Sequence, residues 1–142
     1  MRDVHALYGG EMSAHHYFRD FAYCDSGTIP WLVIWELLST SQKSLRGLLA
    51  DARARFPSSV EMNFTLQDAG ACLTRAKEVY GATALLVDDL DGVSIGHEDW
   101  RMNLRKSNME PLVRLNIETC SAPNLLREKT DELSELIKGL RA

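Results

Sequence analysis

The sequence predicts an α+β fold, in which a domain with an antiparallel sheet and two helices is preceded by a helical segment of a different domain. Three observations predict it. Apolar and polar residues alternate along residues 100 to 105 and 113 to 118, as in strands with one buried face. Apolar stripes of helical period occupy residues 69 to 80 and the stretch from about residue 124 onward. Residues 29 to 38 are apolar on nearly every side, which indicates a helix covered by protein all round.

The first part of the chain contains a predicted strand, a loop and two predicted helices. The strand covers residues 4 to 9, and the diglycine at its end opens a loop that begins at Glu11. The helix over residues 29 to 38 is followed by a second one over residues 44 to 56, which a Pro-Ser-Ser sequence ends. Three polar residues are candidates to cap the first of these helices: Asp25, Ser26 and Thr28. We predict a domain boundary after residue 57.

The second part, residues 58 to 142, begins with a predicted strand over residues 60 to 66 and the helix over residues 69 to 80. Two further strands, residues 84 to 87 and 93 to 95, flank an Asp-Gly pair that is typical of a hairpin turn. The two alternating strands and the last helix complete the domain.

Composition and charge narrow the class of protein. The 142 residues carry a formal net charge of −4, which argues against a general nucleic-acid binder because such proteins need a lysine- and arginine-rich face. The longest apolar run is too short to span a bilayer, so no membrane partner is expected. Three cysteines without metal-ligand spacing fit a reducing cytoplasm and are predicted to be buried thiols: Cys24, Cys72 and Cys120. A motif-rich segment follows Met1 almost directly, which predicts that the chain is a piece of a longer protein.

The first candidate site is the loop in residues 9 to 18, with the sequence GGEMSAHHYF. Glu11 can accept hydrogen bonds from sugar hydroxyls, and Ser13 and His15 can donate or accept them. An ordinary polar surface loop is the alternative interpretation.

The second candidate site is residues 105 to 111, with the sequence RKSNMEP, between two predicted strands. Arg105 offers a planar fork for phosphate, Ser107 a hydroxyl, and Asn108 an amide in a turned backbone. Arg114 could add a second guanidinium group. A hairpin loop with solvated charges is the alternative. Neither the His-His pair at positions 15 and 16 nor the Asp-rich turn before Gly92 has metal-ligand spacing, so no metal site is predicted.

Both candidate loops match motifs of one enzyme family. The sequence GEMSAH at residues 10 to 15 resembles the sugar-binding loop of the α-D-phosphohexomutases, and RKSNMEP at residues 105 to 111 resembles their C-terminal phosphate-binding loop. The sequence YFRDFAYCDSGTIPWL at residues 17 to 32 is similar to the bacterial phosphomannomutase/phosphoglucomutase branch. Methionine at position 12 favours the mannose and glucose branch over the glucosamine branch.

The resemblance implies the C-terminal portion of a four-domain isomerase of carbohydrate metabolism: the end of domain 3 with the sugar-binding loop, and domain 4, which resembles the TATA-box-binding-protein fold in outline. Such an enzyme interconverts hexose 1-phosphate and hexose 6-phosphate through a phosphoserine and a bisphosphate intermediate. The phosphoserine and Mg²⁺ loops would lie outside this chain, in its missing N-terminal domains, so we expect the chain alone to be inactive. Hexose 1,6-bisphosphate is the expected activator.

Carried over to this chain, the family's motifs assign a role to each candidate residue. Glu11 and Ser13 would bind sugar hydroxyls of mannose and glucose phosphates, and His15 would act at the reacting end as a ligand or proton acceptor. The phosphate that does not react would be bound by three residues of the loop and by the arginine of the next strand: Arg105, Ser107, Asn108 and Arg114. Met109 departs from the threonine of many relatives, which removes a hydroxyl donor.

The same sequence leaves open an alternative function and two possible states of the first segment. The alternative function is a non-catalytic phosphosugar-binding or interaction module that works by itself. The apolar helix over residues 29 to 38 predicts either a homodimer formed through residues 1 to 56 or partial disorder of that segment.

Overall fold

The computed structural model describes residues 1 to 11, 14 to 107 and 109 to 140. The chain forms two compact units, Met1–Leu49 and Ala50–Ala142, and each is described by itself below. Ser13 and Asn108, two of the predicted binding residues, lie outside the described residues.

The first unit begins with a small antiparallel sheet in the order β1-β2-β3. Its strands are β1 (Tyr8–Gly10), β2 (His16–Phe18) and β3 (Cys24–Asp25). Tyr8 lies opposite Phe18, and Tyr17 lies opposite Asp25. A 3-10 helix at Arg19–Phe21 connects β2 to β3. The strand predicted over residues 4 to 9 corresponds to β1, which is shorter and begins later in the chain. Strands β2 and β3 were not predicted, because they are too short to show the alternation of a strand.

Two helices follow, α1 (Thr28–Ser41) and α2 (Leu45–Arg55), close to the two predicted ranges. The division between the compact units falls within α2, after Leu49. None of the residues described between positions 1 and 49 is buried. In α1 this leaves large apolar side chains exposed, among them Trp31 and Trp35, whose rings pack edge to face with centroids 4.8 Å apart.

The second unit is built on a five-stranded antiparallel sheet in the order β4-β8-β7-β6-β5. The strands are β4 (Met62–Thr65), β5 (Leu86–Asp88), β6 (Val93–Gly96), β7 (Trp100–Lys106) and β8 (Leu112–Thr119). Helix α3 (Ala69–Tyr80) contacts β6 and β7, and helix α4 (Pro123–Gly139) contacts β8. This confirms the predicted α+β fold with an antiparallel sheet and two helices.

The alternation of the two longest strands explains how the sheet buries one face. Met102 and Leu104 in β7 and Leu115 and Ile117 in β8 are almost fully buried. They pack with helix side chains such as Ile137 in one hydrophobic core. Successive side chains of a strand point to opposite faces, so the residues between them form the face that the helices do not cover. That face is polar: Arg101, Asn103, Arg105, Arg114, Asn116 and Glu118.

Local signals in the sequence place the ends of several elements. Asp68 caps α3, its side chain accepting a hydrogen bond from Ala71 N at 2.8 Å. Gly92, in the turn between β5 and β6, has a φ of +74°, where glycine is favoured. A Cβ at this position would lie 2.4 Å from the main-chain oxygen of Leu104, so the neighbouring strand also requires glycine.

The prediction of three buried thiols was wrong for two of them. Cys72 is buried in the core, and its burial raises the pKa of the thiol to about 11. Cys24 and Cys120 are exposed, because Cys24 lies in the first unit's small sheet and Cys120 follows the end of β8. Among the described helices, none is both long and apolar enough to cross a membrane.

Candidate functional site

The loop between β1 and β2 is closed by main-chain hydrogen bonds at its two ends. Glu11 N donates to His15 O at 2.9 Å, and Ala14 N donates to Glu11 O at 3.0 Å. Ala14 has a φ of +64°, a left-handed conformation that allows the chain to reverse within a few residues. The tight turn brings Glu11 and His15, both predicted to bind the sugar, to the base of the same loop.

His15 is held by a carboxylate from β3. Its Nδ1 lies 2.8 Å from Asp25 Oδ2, and the other oxygen of Asp25 accepts a hydrogen bond from His16 N at 2.8 Å. The hydrogen bond to Asp25 and its negative charge raise the pKa of His15, and the same hydrogen bond lowers the pKa of Asp25. About half of the His15 side chain is exposed, so the ring is oriented and also accessible to a ligand.

Glu11 is oriented by Tyr17 of β2. The Tyr17 hydroxyl donates to Glu11 Oε1 at 2.8 Å, which raises the pKa of the phenol because the carboxylate favours the protonated form. The Tyr17 ring also stacks on the His15 ring, with centroids 6.5 Å apart. Tyr17 thus contacts both predicted sugar-binding residues described in this loop.

Asp25 and Tyr17 are the residues of this loop region that sequence reasoning did not assign to the site. Asp25 was predicted as a helix cap, but its carboxylate binds the hairpin, and the hydroxyl of Ser26 accepts the hydrogen bond from Ile29 N near the start of α1. The only signal in the sequence was a carboxylate ten positions after His15, and that spacing has no meaning until the strand pairing is known.

His16, next to His15, faces a different partner. Its Nδ1 lies 2.7 Å from the hydroxyl of Tyr8, and the two rings stack with centroids 6.0 Å apart. His16 therefore packs across β1 and β2. Among the described residues, no group of three or more His, Cys, Asp or Glu side chains is arranged to hold a metal ion.

The second candidate site lies on the polar face of the five-stranded sheet. Arg105 of β7 and Arg114 of β8 are directly opposite each other in the strand register, so their guanidinium groups share that face. Both contact Glu61, which precedes β4: Arg105 Nη2 lies 3.3 Å from Glu61 Oε2, and Arg114 Nη1 lies 3.4 Å from Glu61 Oε1. Asp91 is a more distant partner, 3.5 Å from Arg105 Nη1.

The arginines are partly buried, with 28% of the Arg105 side chain and 36% of the Arg114 side chain exposed. The Nε of Arg105 is buried without a hydrogen-bond partner among the described residues. Partial burial strengthens the attraction of such a pair for an anion, because less water screens the charges.

Ser107 organises the loop that joins β7 to β8. Its N donates to Leu112 O at 2.9 Å, and its Oγ accepts hydrogen bonds from Met109 N and Glu110 N, each at 3.3 Å. Two main-chain N–H groups therefore point toward a single hydroxyl oxygen within the loop. Met109, which stands where the resemblance implies threonine, is 93% exposed, and its N–H group contacts Ser107.

The predicted binding residues that the structure describes fall into two groups. Glu11 and His15 lie together in the first unit, and Arg105, Ser107 and Arg114 lie together in the second. Glu61 was missed because it is 53 residues from Arg114 in the sequence, and only the pairing of β4 with β8 brings the two together.

Comparison with known proteins identifies the relatives of this chain. Residues 1 to 56 match the model of the family described as phosphoglucomutase/phosphomannomutase, alpha/beta/alpha domain III. A phosphomannomutase of Escherichia coli is 51% identical over 138 residues, which are 97% of this chain and 30% of that protein. Over nearly its whole length the chain is therefore similar to proteins of the phosphoglucomutase/phosphomannomutase family.

Other members of the phosphoglucomutase/phosphomannomutase family match to the same extent. Proteins of Xanthomonas campestris named phosphohexose mutases are 51% identical over 98% of this chain and 31% of their own length. A crystal structure of a family protein from Burkholderia thailandensis covers 98% of this chain and 29% of its own, with a TM-score of 0.69 and 24% identity, so it shows a shared fold. The chain spans about three tenths of the length of the curated relatives.

The family match ends at residue 56, whereas the compact units divide after Leu49. The domain boundary after residue 57 stays a prediction.

Proposed function

We propose that this chain supplies sugar-binding and phosphate-binding parts of a phosphohexomutase that interconverts hexose 1-phosphate and hexose 6-phosphate through a phosphoserine and a bisphosphate intermediate. The observation that carries the proposal is the side-by-side pair of Arg105 and Arg114 beside a loop with inward-pointing N–H groups. Relatives 51% identical are named phosphomannomutase and phosphohexose mutases, which supports the reaction class.

At the phosphate end, the substrate's non-reacting phosphate is bound by Arg105, with Arg114 as a second cation. A guanidinium group binds two phosphate oxygens at once, which fixes orientation as well as position. The N–H groups of Met109 and Glu110, now turned toward Ser107 Oγ, are candidate further donors, together with the Ser107 hydroxyl. Asn108 belongs to the same proposed set.

At the sugar end, Glu11 and Ser13 bind hydroxyls that glucose and mannose share, so the enzyme accepts both sugars. The hydrogen bond from Tyr17 orients Glu11 for this role. A fixed phosphate site combined with sugar contacts that tolerate reversal allows one ligand to bind in two orientations, as a mutase requires.

His15 acts at the reacting end as the proton acceptor. When a sugar hydroxyl takes a phosphoryl group from phosphoserine, the bond from sugar oxygen to phosphorus forms, the bond from serine oxygen to phosphorus breaks, and the hydroxyl proton must leave. Neutral His15 can accept it, and Asp25 stabilises the imidazolium that results. The raised pKa of His15 makes it a stronger base for this step.

Mg²⁺ and hexose 1,6-bisphosphate belong to the same proposal as cofactor and activator of the whole enzyme. The side chains described in this chain do not fit a metal ion, so the metal is assigned to the other domains, with the phosphoserine, and no step is derived through it here. The whole enzyme is expected to work in the cytoplasm, with these other domains as partners.

Phosphate binding by the chain itself tests the assignment of the second loop. We expect inorganic phosphate to shift amide resonances of residues 105 to 112 in NMR spectra. Loss of a charge-assisted contact costs about 1.5 to 3 kcal/mol, so Arg105→Ala should weaken binding at least tenfold. Arg101→Ala is the matched control, because Arg101 lies on the same face of the same strand but pairs with Glu118. Equal shifts in the parent and in Arg105→Ala would remove the loop from the proposal.

A coupled assay with mannose 1-phosphate or glucose 1-phosphate, Mg²⁺ and a bisphosphate activator tests the division of labour between this chain and the other domains. We expect no turnover by the chain alone. Turnover that is abolished by His15→Ala would contradict the assignment of the phosphoserine to other domains. The stand-alone binding module predicts the same inactivity, but it also predicts that adding the other domains of the family restores no turnover.

A further inference from the structure

Glu61 occupies an unusual place in the proposed phosphate site. Its two carboxylate oxygens contact two different guanidinium groups, one on Arg105 and one on Arg114. Only 21% of the Glu61 side chain is exposed. The residue itself lies outside the two strands that carry the arginines, just before β4.

The arrangement balances the charge of two neighbouring cations. Arg105 and Arg114 face each other across β7 and β8, and like charges directly opposite on a sheet destabilise it. A carboxylate between them removes that repulsion. It also presents two oxygens to the guanidinium groups, the same kind of acceptor that a phosphate presents.

We propose that Glu61 competes with the phosphate for Arg105 and Arg114. It holds the two guanidinium groups in place when no ligand is bound, and its contacts with them break when phosphate binds. The inference rests on the proposed phosphate-binding function of this loop. A carboxylate and a phosphate cannot both accept hydrogen bonds from the same guanidinium N–H groups. A phosphate bound to these arginines would also lie close to the Glu61 carboxylate, and the two anions would repel each other. Glu61 therefore stabilises the ligand-free sheet and weakens phosphate binding.

The Arg105 side chain has a second acidic contact that provides a control. Asp91 lies 3.5 Å from Arg105 Nη1 and is 75% exposed, and its ion pair is with Arg105. Removing its charge changes the net charge of the chain by the same amount as removing the charge of Glu61. The two substitutions separate competition at the arginines from a general gain in positive charge.

The experiment compares phosphate binding by the full chain, Glu61→Gln and Asp91→Asn, using titration with inorganic phosphate followed by NMR. Glutamine keeps the shape of the side chain but loses the negative charge, so it attracts the two guanidinium groups less strongly and does not repel a phosphate. We expect Glu61→Gln to bind phosphate about five- to tenfold more tightly, and Asp91→Asn to change the affinity less than about twofold. Glu61→Ala serves as a second variant with the same expected direction if Glu61→Gln does not fold.

Thermal unfolding supplies an independent readout. Without phosphate, Glu61→Gln should melt at a lower temperature than the parent, because the arginines are no longer neutralised. Added phosphate should raise the melting temperature of Glu61→Gln more than that of the parent, since tighter binding to the folded state stabilises it more.

The possible outcomes separate this inference from the proposed function. Unchanged or weaker binding by Glu61→Gln, with binding to the parent still lost in Arg105→Ala, would overturn the competitor role and leave the phosphate site intact. An equal gain in Asp91→Asn would also overturn it, as an effect of net charge alone. Phosphate shifts that are insensitive to Arg105→Ala in both the parent and the Glu61→Gln background would reject the site and, with it, this inference.

Discussion

The two compact units of this chain are stabilised in different ways. In Ala50–Ala142, a hydrophobic core fills the space between the helices and one face of the sheet. In Met1–Leu49, no described residue is buried, and the contacts that define the hairpin are hydrogen bonds and stacked rings of partly exposed polar side chains. Apolar burial is worth about 25 cal/mol per Å², so it stabilises the second unit more than the described residues of the first.

This difference affects function as well as stability. The proposed phosphate site is placed on strands that the core holds rigidly, whereas the proposed sugar site is placed on a hairpin held by polar contacts. Groups with few buried contacts open locally at low free-energy cost. We therefore expect slower amide exchange at Arg105 and Arg114 than at His15 and His16 in the isolated chain.

The largest expected effect on stability comes from shortening a side chain in the hydrophobic core. Leu115 is fully buried in β8, and Leu115→Ala should reduce the free energy of unfolding of the second unit by about 2 to 5 kcal/mol, through lost burial and a cavity. Leu32→Ala is the matched control in α1, where the residue is 52% exposed; at concentrations low enough to keep the chain monomeric, it should change stability by no more than about 0.5 kcal/mol. Amide exchange resolved by residue measures both. Similar losses for the two variants would contradict the contrast between the units.

A backbone substitution is expected to have the next largest effect. Gly92→Ala introduces a Cβ at a φ of +74°, 2.4 Å from Leu104 O, and should cost about 1 to 3 kcal/mol or more. Gly27→Ala should be neutral or slightly stabilising, because nothing lies within 4 Å of its Cβ position and its φ is −78°. Urea denaturation of both variants checks this. A stable Gly92→Ala would show that the turn can adopt a different conformation.

The same contrast explains how much the sequence could predict. In the second unit, apolar and polar residues alternate in β7 and β8, and apolar residues form a stripe along α3, because each element buries one face. The ends of these elements were therefore predicted within one or two residues. In the first unit no described residue is buried, and the short strands β2 and β3 left no periodic signal. There the sequence predicted α1, the start of α2 and one strand, and that strand, over residues 4 to 9, matches β1 only in part.

The candidate site shows a similar division. The residues within each motif could be found because they are close in sequence, as Arg105 and Ser107 are. Asp25 and Glu61 could not, since their roles arise from strand pairings that join distant parts of the chain. Side chains that orient a binding residue carry no pattern of their own.

The exposure of the described residues in the first unit has its clearest consequence in helix α1. Its apolar side chains are about half exposed, including Trp31 at 55% and Trp35 at 58%. An exposed patch of this kind promotes association, so we predict that the isolated chain forms a homodimer through this unit. Sedimentation at increasing concentration should show the dimer, and Trp35→Ser should weaken it. A monomer at all concentrations, with fast amide exchange in α1, would instead indicate partial disorder of the segment.

The smallest expected effect concerns the pH dependence of the hairpin. Asp25 raises the pKa of His15, so the folded hairpin binds a proton more tightly than the unfolded chain does. The contribution of this pair to stability is fully present below the ordinary histidine pKa and is lost as the pH rises through the raised pKa of folded His15.

Asp25→Asn should move the pKa of His15 back toward its ordinary value, and NMR titration of the imidazole resonances measures this. The ring is about half exposed and water screens the pair, so the pKa should respond clearly while global stability changes little. A pKa of His15 that is unaffected by Asp25→Asn would show that the carboxylate does not orient the ring in solution, and the proton-accepting role assigned to the pair would lose its support.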